Sequence, residues 1–217
     1  MNLEQLVPRI IAILLILLVA FPVHEFAHAL AAYRLGDGTA RLFGRLTLNP
    51  IAHFDPMGGI ILIISGLTGF IIGWAKPTPV NPLNLGGGRN GEAIVAFAGP
   101  ASNLVLAVMG ALPLRYIQAT GLVVPDLLWD VLILFVFYNV ILMLLNLLPV
   151  APLDGSKLLF ALMSPQTAWR WRPIFEQWGF LILIGAAFLP ILPGGNTVLG
   201  LVFDTVGVPL VNLLIGF

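Results

Sequence analysis

The sequence predicts an all-α polytopic membrane protein with about five transmembrane helices, a re-entrant segment and a small β-element at the cytoplasmic face, all within one membrane-embedded domain over residues 1–217. Three observations carry this. Hydrophobic residues fill 59% of the 217 positions and charged residues only 9%, where a soluble domain is roughly 25% charged. Mean hydropathy is +1.02. Several apolar runs approach the ~20 residues a helix needs to cross a hydrocarbon core of ~30 Å. Ten basic residues balance ten acidic ones, so the charge pattern gives no footprint for nucleic acid or a polyacidic partner. There is no cysteine, which excludes disulfides, thiolate metal sites and a cysteine nucleophile and leaves oxygen and imidazole as the available ligands.

The elements follow in order. Pro8–Leu35 is the first predicted span; it lacks a basic leader and an Ala-x-Ala site, so it reads as a helix that stays rather than a cleaved signal. From Arg41 to Leu48 polar and apolar residues alternate, with Gly44 interrupting, as in a half-exposed strand. Such a strand either pairs with an unwound segment of another chain by β-addition or only closes the cytoplasmic face. Met57–Ala75 is apolar and long enough to span but carries Gly58, Gly59, Gly66, Gly69 and Gly73. Trp74–Pro82 is held extended by its prolines, each of which disfavours helix in the residue before it. Ala93–Ala119, Asp126–Pro149, Gln177–Leu192 and Thr197–Phe217 supply the remaining predicted spans.

The basic residues choose the topology, because cytoplasmic flanks are enriched in them. If the segment Met57–Ala75 dips in and returns, Arg34, Arg41, Arg45, Lys76, Arg89, Lys157, Arg170 and Arg172 lie inside, leaving Arg9 and Arg115 outside. A full crossing would split them six to four. The re-entrant reading is preferred, and irregular backbone at that depth is tolerable where protein or a water-filled cavity surrounds it.

His24-Glu25-Phe26-Ala27-His28 lies inside the first apolar helix. Residues i and i+4 share a helix face, so both imidazoles can meet one ion while Glu25 points towards water beside it. An ionisable group at the centre of a membrane helix costs about 2.5–3.5 kcal/mol on the insertion scale. Two histidines and a glutamate together therefore call for a compensating partner, and a divalent cation supplies it. A catalytic zinc takes three protein ligands, and the candidates for the third are His53, Asp55, Asp154 and Asp204. Asp154 follows a long apolar run that Pro149 and Pro152 interrupt and precedes Gly155, which permits a bend. It reads either as a carboxylate presented at a broken helix or as a loop residue at a cap.

HEFAH in an apolar helix, followed by Asn146-Leu-Leu-Pro-Val-Ala-Pro-Leu-Asp-Gly155, resembles the site-two protease family of intramembrane zinc metalloproteases. Phe97-Ala-Gly-Pro-Ala-Ser-Asn-Leu104, Gly73-Trp-Ala-Lys-Pro77 and the stretch Asn49–Pro56 resemble its short prokaryotic members, without PDZ or CBS domains. The resemblance implies that His24, His28 and Asp154 bind Zn2+, that Glu25 is the general base, and that Asn146 stabilises the oxyanion or positions substrate. It also implies transmembrane protein substrates in a lipid bilayer, regulated intramembrane proteolysis, and an active site towards the cytoplasmic side of a prokaryotic cell membrane. His53 and Asp55 have three readings: a second ligand pair, a second shell or gate on the re-entrant segment, or caps at its start. The rival functions are a divalent-metal transporter, since intramembrane His, Asp and Glu also mark ion paths, and a membrane chaperone that binds helices without cutting.

Overall fold

A computed structural model describes residues 3–68, 73–192 and 195–216. Helix α1 (Leu3–Leu15) passes through a π-helical turn, Ile16–Ala20, into α2 (Phe21–Arg34), making one continuous apolar span over Glu4–Arg34. Pro22 explains the turn. Proline has no N–H and its ring presses on the carbonyl four residues earlier, and a widened turn, in which the Phe21 N–H donates to Ile16 O, absorbs that conflict. The same device recurs at Phe203–Gly207, ahead of Pro209, where the Val208 N–H donates to Phe203 O.

Short helices α3 (Thr39–Leu42) and α4 (Pro50–His53) lead into α5 (Pro56–Thr68). The predicted strand at Arg41–Leu48 is not formed, and no strand occurs among the described residues. Gly44, at φ +68°, turns the chain in the left-handed region after one helical turn. Arg45 is buried rather than exposed, and its guanidinium donates to the carbonyls of Ala52 and Lys76. The N–H groups of Leu42, Phe43, Gly44 and Arg45 already donate to the carbonyls of Gly38, Thr39, Arg41 and Ala40, so this stretch closes into a turn and offers no edge to a partner strand. The β-addition reading at this segment loses its platform.

The segment Met57–Ala75 does return on itself. Residues 69–72 lie outside the described residues, but Trp74 packs beside the start of α5, where a Cβ on Gly58 would fall 2.0 Å from Trp74 O. The Lys76 N–H donates to His53 O at 2.8 Å, tying the two flanks together at one end. A Cβ on Gly73 would lie 2.5 Å from Leu62 Cβ, so the glycines that weaken a spanning helix are what let this one be closely overlain. Residues 73–81 then run without helix, as their prolines predict.

Helices α6 (Arg89–Thr120) and α7 (Asp126–Leu147) follow, then α8 (Asp154–Leu162), α9 (Pro165–Phe188), α10 (Val198–Val202) and α11 (Val208–Ile215). Among the described residues four helices are long and apolar enough to cross a membrane: Glu4–Arg34, Arg89–Thr120, Asp126–Leu147 and Val198–Ile215. The fifth expected span, Gln177–Leu192, is instead largely the apolar second half of α9, whose first half carries Arg170, Arg172 and Glu176. The protein is an integral membrane protein.

Helix α6 is the centre. Gly91, Val95, Gly99, Asn103, Leu106, Gly110 and Leu114 recur every three or four residues and are all buried, so one face is continuous with the interior. In lipid the drive to bury apolar surface is absent, and association relies on close packing and interhelical hydrogen bonds, which favour small residues. A Cβ on Gly110 would fall 2.9 Å from Phe135 Cδ1, so α6 and α7 approach closely there. Two clusters flank this line. Ala12, Ile13, Ile16 and Ala20 meet Leu62, Leu106, Tyr138 and Leu142 on one side. Ala107, Ala111 and Leu114 meet Val136, Val140, Val211 and Ile215 on the other.

Candidate metal centre

His24 and His28 lie one turn apart on α2 and are both buried. Asp154 opens α8 after the irregular stretch 148–153, in which Pro149 and Pro152 end the helical run of α7. Gly155 sets how close the two segments come: a Cβ there would lie 2.3 Å from the carbonyl oxygens of both Leu147 and Leu148. The break therefore folds tightly under the end of α7 and delivers the Asp154 carboxylate to α2.

There the donor atoms converge. His24 Nε2 and His28 Nε2 are 3.0 Å apart, and Asp154 Oδ2 lies 3.3 Å from the first and 3.0 Å from the second. Three ligands at ~2.0–2.1 Å from a tetrahedral zinc are about 3.3 Å from one another, so the observed triangle fits that ion. Its chemistry fits too, because two bare imidazole nitrogens and a carboxylate oxygen at these separations repel unless a cation or protons lie between them. His28 Nδ1 donates to Val95 O at 2.7 Å and His24 Nδ1 donates to Asn103 Oδ1 at 2.5 Å, directing both Nε2 lone pairs inwards. Gly99 lies between these two anchors on α6, and a Cβ there would sit 2.4 Å from His28 Nε2 and 2.5 Å from His24 Nε2. Only glycine leaves the cradle open.

The second carboxylate oxygen, Asp154 Oδ1, accepts from Lys157 Nζ at 3.2 Å. Glu25 is partly buried, and its Oε2 accepts from the Thr78 N–H at 2.7 Å, while Thr78 Oγ1 donates to the Glu25 carbonyl at 3.0 Å. The extended run 73–81 thus fixes the glutamate from outside α2. Asp37 clamps the same run. Fully buried, it accepts from Asn81 N at 2.7 Å, Asn84 Nδ2 at 3.2 Å, Thr39 N at 3.0 Å and Thr39 Oγ1 at 2.5 Å. Burial would raise its carboxyl, but these donors together lower it.

Other expected residues stand apart from the triangle. Asn146 lies in the last turn of α7 and spends Nδ2 on Leu142 O at 3.0 Å in its own helix. His53 is buried, with Nε2 2.8 Å from Thr47 O and Nδ1 unpartnered. Asp55 Oδ1 accepts from the Gly58 N–H at 2.8 Å and so caps α5. Asp204 is exposed in the π-turn before α11. Among the described residues the one metal-competent group is His24, His28 and Asp154. Sequence reasoning gave no role to Asn103, Gly99 or Thr78. The available signal was Asn103 itself, an amide in an apolar helix, which membrane packing uses for interhelical bonds.

The sequence model for peptidase family M50 matches residues 111–190. The protein named "Putative zinc metalloprotease YwhC" in Bacillus subtilis is 38% identical over 187 residues, covering 84% of this chain and 81% of that protein. "Putative zinc metalloprotease Rip2" of Mycolicibacterium smegmatis is 36% identical over 177 residues, covering 81% of this chain and 66% of the relative. Its namesake in Mycobacterium tuberculosis is 31% identical over 190 residues, with 82% and 66% covered. No solved structure matches.

Proposed function

The chain belongs to peptidase family M50 as a zinc metalloprotease, and from that premise we propose that it hydrolyses peptide bonds within the transmembrane segments of other membrane proteins. His24, His28 and Asp154 hold the zinc, and Glu25 moves the proton. The observation that carries this reading is the 3.0–3.3 Å triangle of donor atoms inside a bundle of membrane-length helices.

Bound zinc supplies a Lewis acid that polarises the scissile carbonyl and acidifies water. The protein does the rest. Thr78 holds Oε2 of Glu25, leaving Oε1 to take a proton from the attacking water and pass it to the leaving amine. The break at 148–153 and the extended run 73–81 flank the site with irregular backbone, which gives water a place that continuous helices deny. A substrate helix must unwind before its carbonyl is reachable. Asn146 is the proposed contact for that carbonyl, after its amide rotates away from Leu142 O. His53 and Asp55 shape the approach: the backbone of His53 and the cap made by Asp55 set the start and return of the re-entrant segment. The distribution of basic residues supports a site that faces the cytoplasm.

The test is cleavage of model transmembrane substrates by purified protein. Activity should vanish with a chelator and return with zinc. Glu25→Gln should keep one zinc per chain yet lose activity by about 10²–10⁴-fold. Cleavage by that variant at the wild-type rate removes Glu25 from the role. Zinc flux across sealed vesicles without proteolysis favours a transporter, and substrate binding with no cleavage by the zinc-loaded wild type favours a chaperone. For topology, cysteines placed at Gly38, where a Cβ meets open space, and at the exposed Leu83 should both react with an impermeant thiol reagent from the cytoplasmic side. Reaction from opposite sides contradicts that placement.

A further inference from the structure

We propose that Asn139 and Asn103 form a polarity relay, running from a backbone carbonyl of α7 to His24, that fixes which nitrogen of His24 is free to bind metal. Both asparagines are completely buried. Asn139 Nδ2 donates to Phe135 O at 2.8 Å, Asn103 Nδ2 donates to Asn139 Oδ1 at 3.2 Å, and Asn103 Oδ1 lies 2.5 Å from His24 Nδ1.

An asparagine amide can face a neighbour with either end, and its contacts decide which. Phe135 O can only accept, so Asn139 must turn its NH2 towards it. That leaves Oδ1 of Asn139 facing Asn103, which must answer with its own NH2. Asn103 is then obliged to present Oδ1 to His24, and His24 must carry its proton on Nδ1. Nε2 is left bare, aimed at His28 and Asp154. Each link has one polarity because the first link is a carbonyl.

His28 needs no such chain, since its Nδ1 faces Val95 O directly. Val95, Gly99 and Asn103 follow one another at intervals of four along one face of α6. The first offers a backbone acceptor, the second offers room, and the third must imitate a backbone acceptor with a side chain. Asn103 and Asn139 are therefore positioning residues, acting through His24 and not on substrate.

The inference rests on the reading that His24 binds zinc, and the experiment separates the two. Zinc dissociation constants are measured by competition with a chelating indicator on the purified full chain, with helicity checked by circular dichroism. Asn103→Leu should bind zinc about 10–100-fold more weakly than wild type. Asn139→Leu should weaken binding by roughly three- to tenfold, since Asn103 is then free to turn either end towards His24. Asn103→Asp presents an acceptor to His24 whichever way it turns, and a carboxyl proton at that buried position can answer Asn139 Oδ1, so it should stay within about threefold of wild type. The deciding arm is Asn139→Leu made in the Asn103→Asp background, where it should cost less than about twofold because no amide remains to be oriented. An equal loss in both backgrounds makes Asn139 a packing residue and overturns the relay. Wild-type affinity in a folded Asn103→Leu overturns it as well, and the double comparison decides if that variant does not fold. A wild-type protein that binds no zinc would instead overturn the metal reading itself.

Discussion

Helices α6 and α9 are both long, yet they are tied to the molecule in opposite ways. Of the 32 residues of α6, eleven are buried, among them three glycines and an asparagine. Of the 24 residues of α9 only Ala168 and Gly179 are buried, while Trp169, Trp171 and Trp178 are exposed. Cavities of about 420 and 340 Å3 lie along α9, both lined by Phe160 of α8. The difference separates two tasks. Helix α6 must hold two imidazoles to within tenths of an ångström, and it does so with small residues and buried polar bonds. Helix α9 meets the stretch just before Asp154 where a Cβ on Gly179 would approach Ala151 O, and it meets α8 through Phe175 edge-on against Phe160.

The largest test of that contrast is Gly99→Leu. Its side chain fills the space in front of both Nε2 atoms, so zinc per chain should fall by more than tenfold, read by metal analysis of purified protein. Full zinc content in this variant would mean that α6 is not the rigid wall of the site. Gly179→Leu is the matched insult to α9. Overpacking of this kind costs typically 1–3 kcal/mol, and the expected result is a lower melting temperature with zinc retained. Loss of zinc from Gly179→Leu would erase the distinction between the two helices.

A subtler test addresses the clasp that joins the extended run to α2. The Asp37 carboxyl lies below its ordinary value of 3.8 in the folded protein, so its stabilisation is present above that pH and is lost as pH falls through the lower folded value. Asp37→Asn removes the charged acceptor and should cost about 1–3 kcal/mol at neutral pH. It should also flatten the acid limb of the stability curve below pH ~4. An unchanged acid limb would show that the clasp does not carry this dependence. The smallest effect is expected from Glu92→Gln, which breaks the pair with Arg172 of α9 at 3.2 Å, where the arginine is half exposed. Such pairs are worth about 0–1 kcal/mol, and a thermal melt that falls further would mean α9 is held more by charge than its packing suggests.

The features legible in the sequence were those governed by local rules. Spacing in HEFAH placed two imidazoles on one face, the prolines at 149 and 152 ended α7, and the Lys and Arg residues on either side of Met57–Ala75 favoured a segment that returns on itself. What escaped depended on partners distant in sequence. Arg41–Leu48 alternates like a strand, but the N–H groups of Leu42 to Arg45 bond back to carbonyls from Gly38 to Arg41, and the guanidinium of Arg45 turns inwards to Ala52 and Lys76. The hydrophobic stretch Gln177–Leu192 looked like a separate span because its apolar residues were counted without the charged turns that begin the same helix. Asn103 was visible as a letter in an apolar run, but its meaning required knowing that His24 and Asn139 lie on either side of it.

The run at 73–81 has a consequence for how copies of this protein meet one another. In an extended chain successive N–H groups point to opposite edges. Those of Lys76 and Thr78 point inwards and are taken by His53 O and Glu25 Oε2. The alternate positions, which would supply donors to the outer edge, are Pro77 and Pro79 and have none. An uncovered length of extended backbone is ordinarily a template for pairing and aggregation. Here the outer edge can accept but cannot donate at two successive outward positions, so a ladder of reciprocal bonds cannot grow along it, and crowding many such chains into one bilayer does not invite them to zip together at this edge.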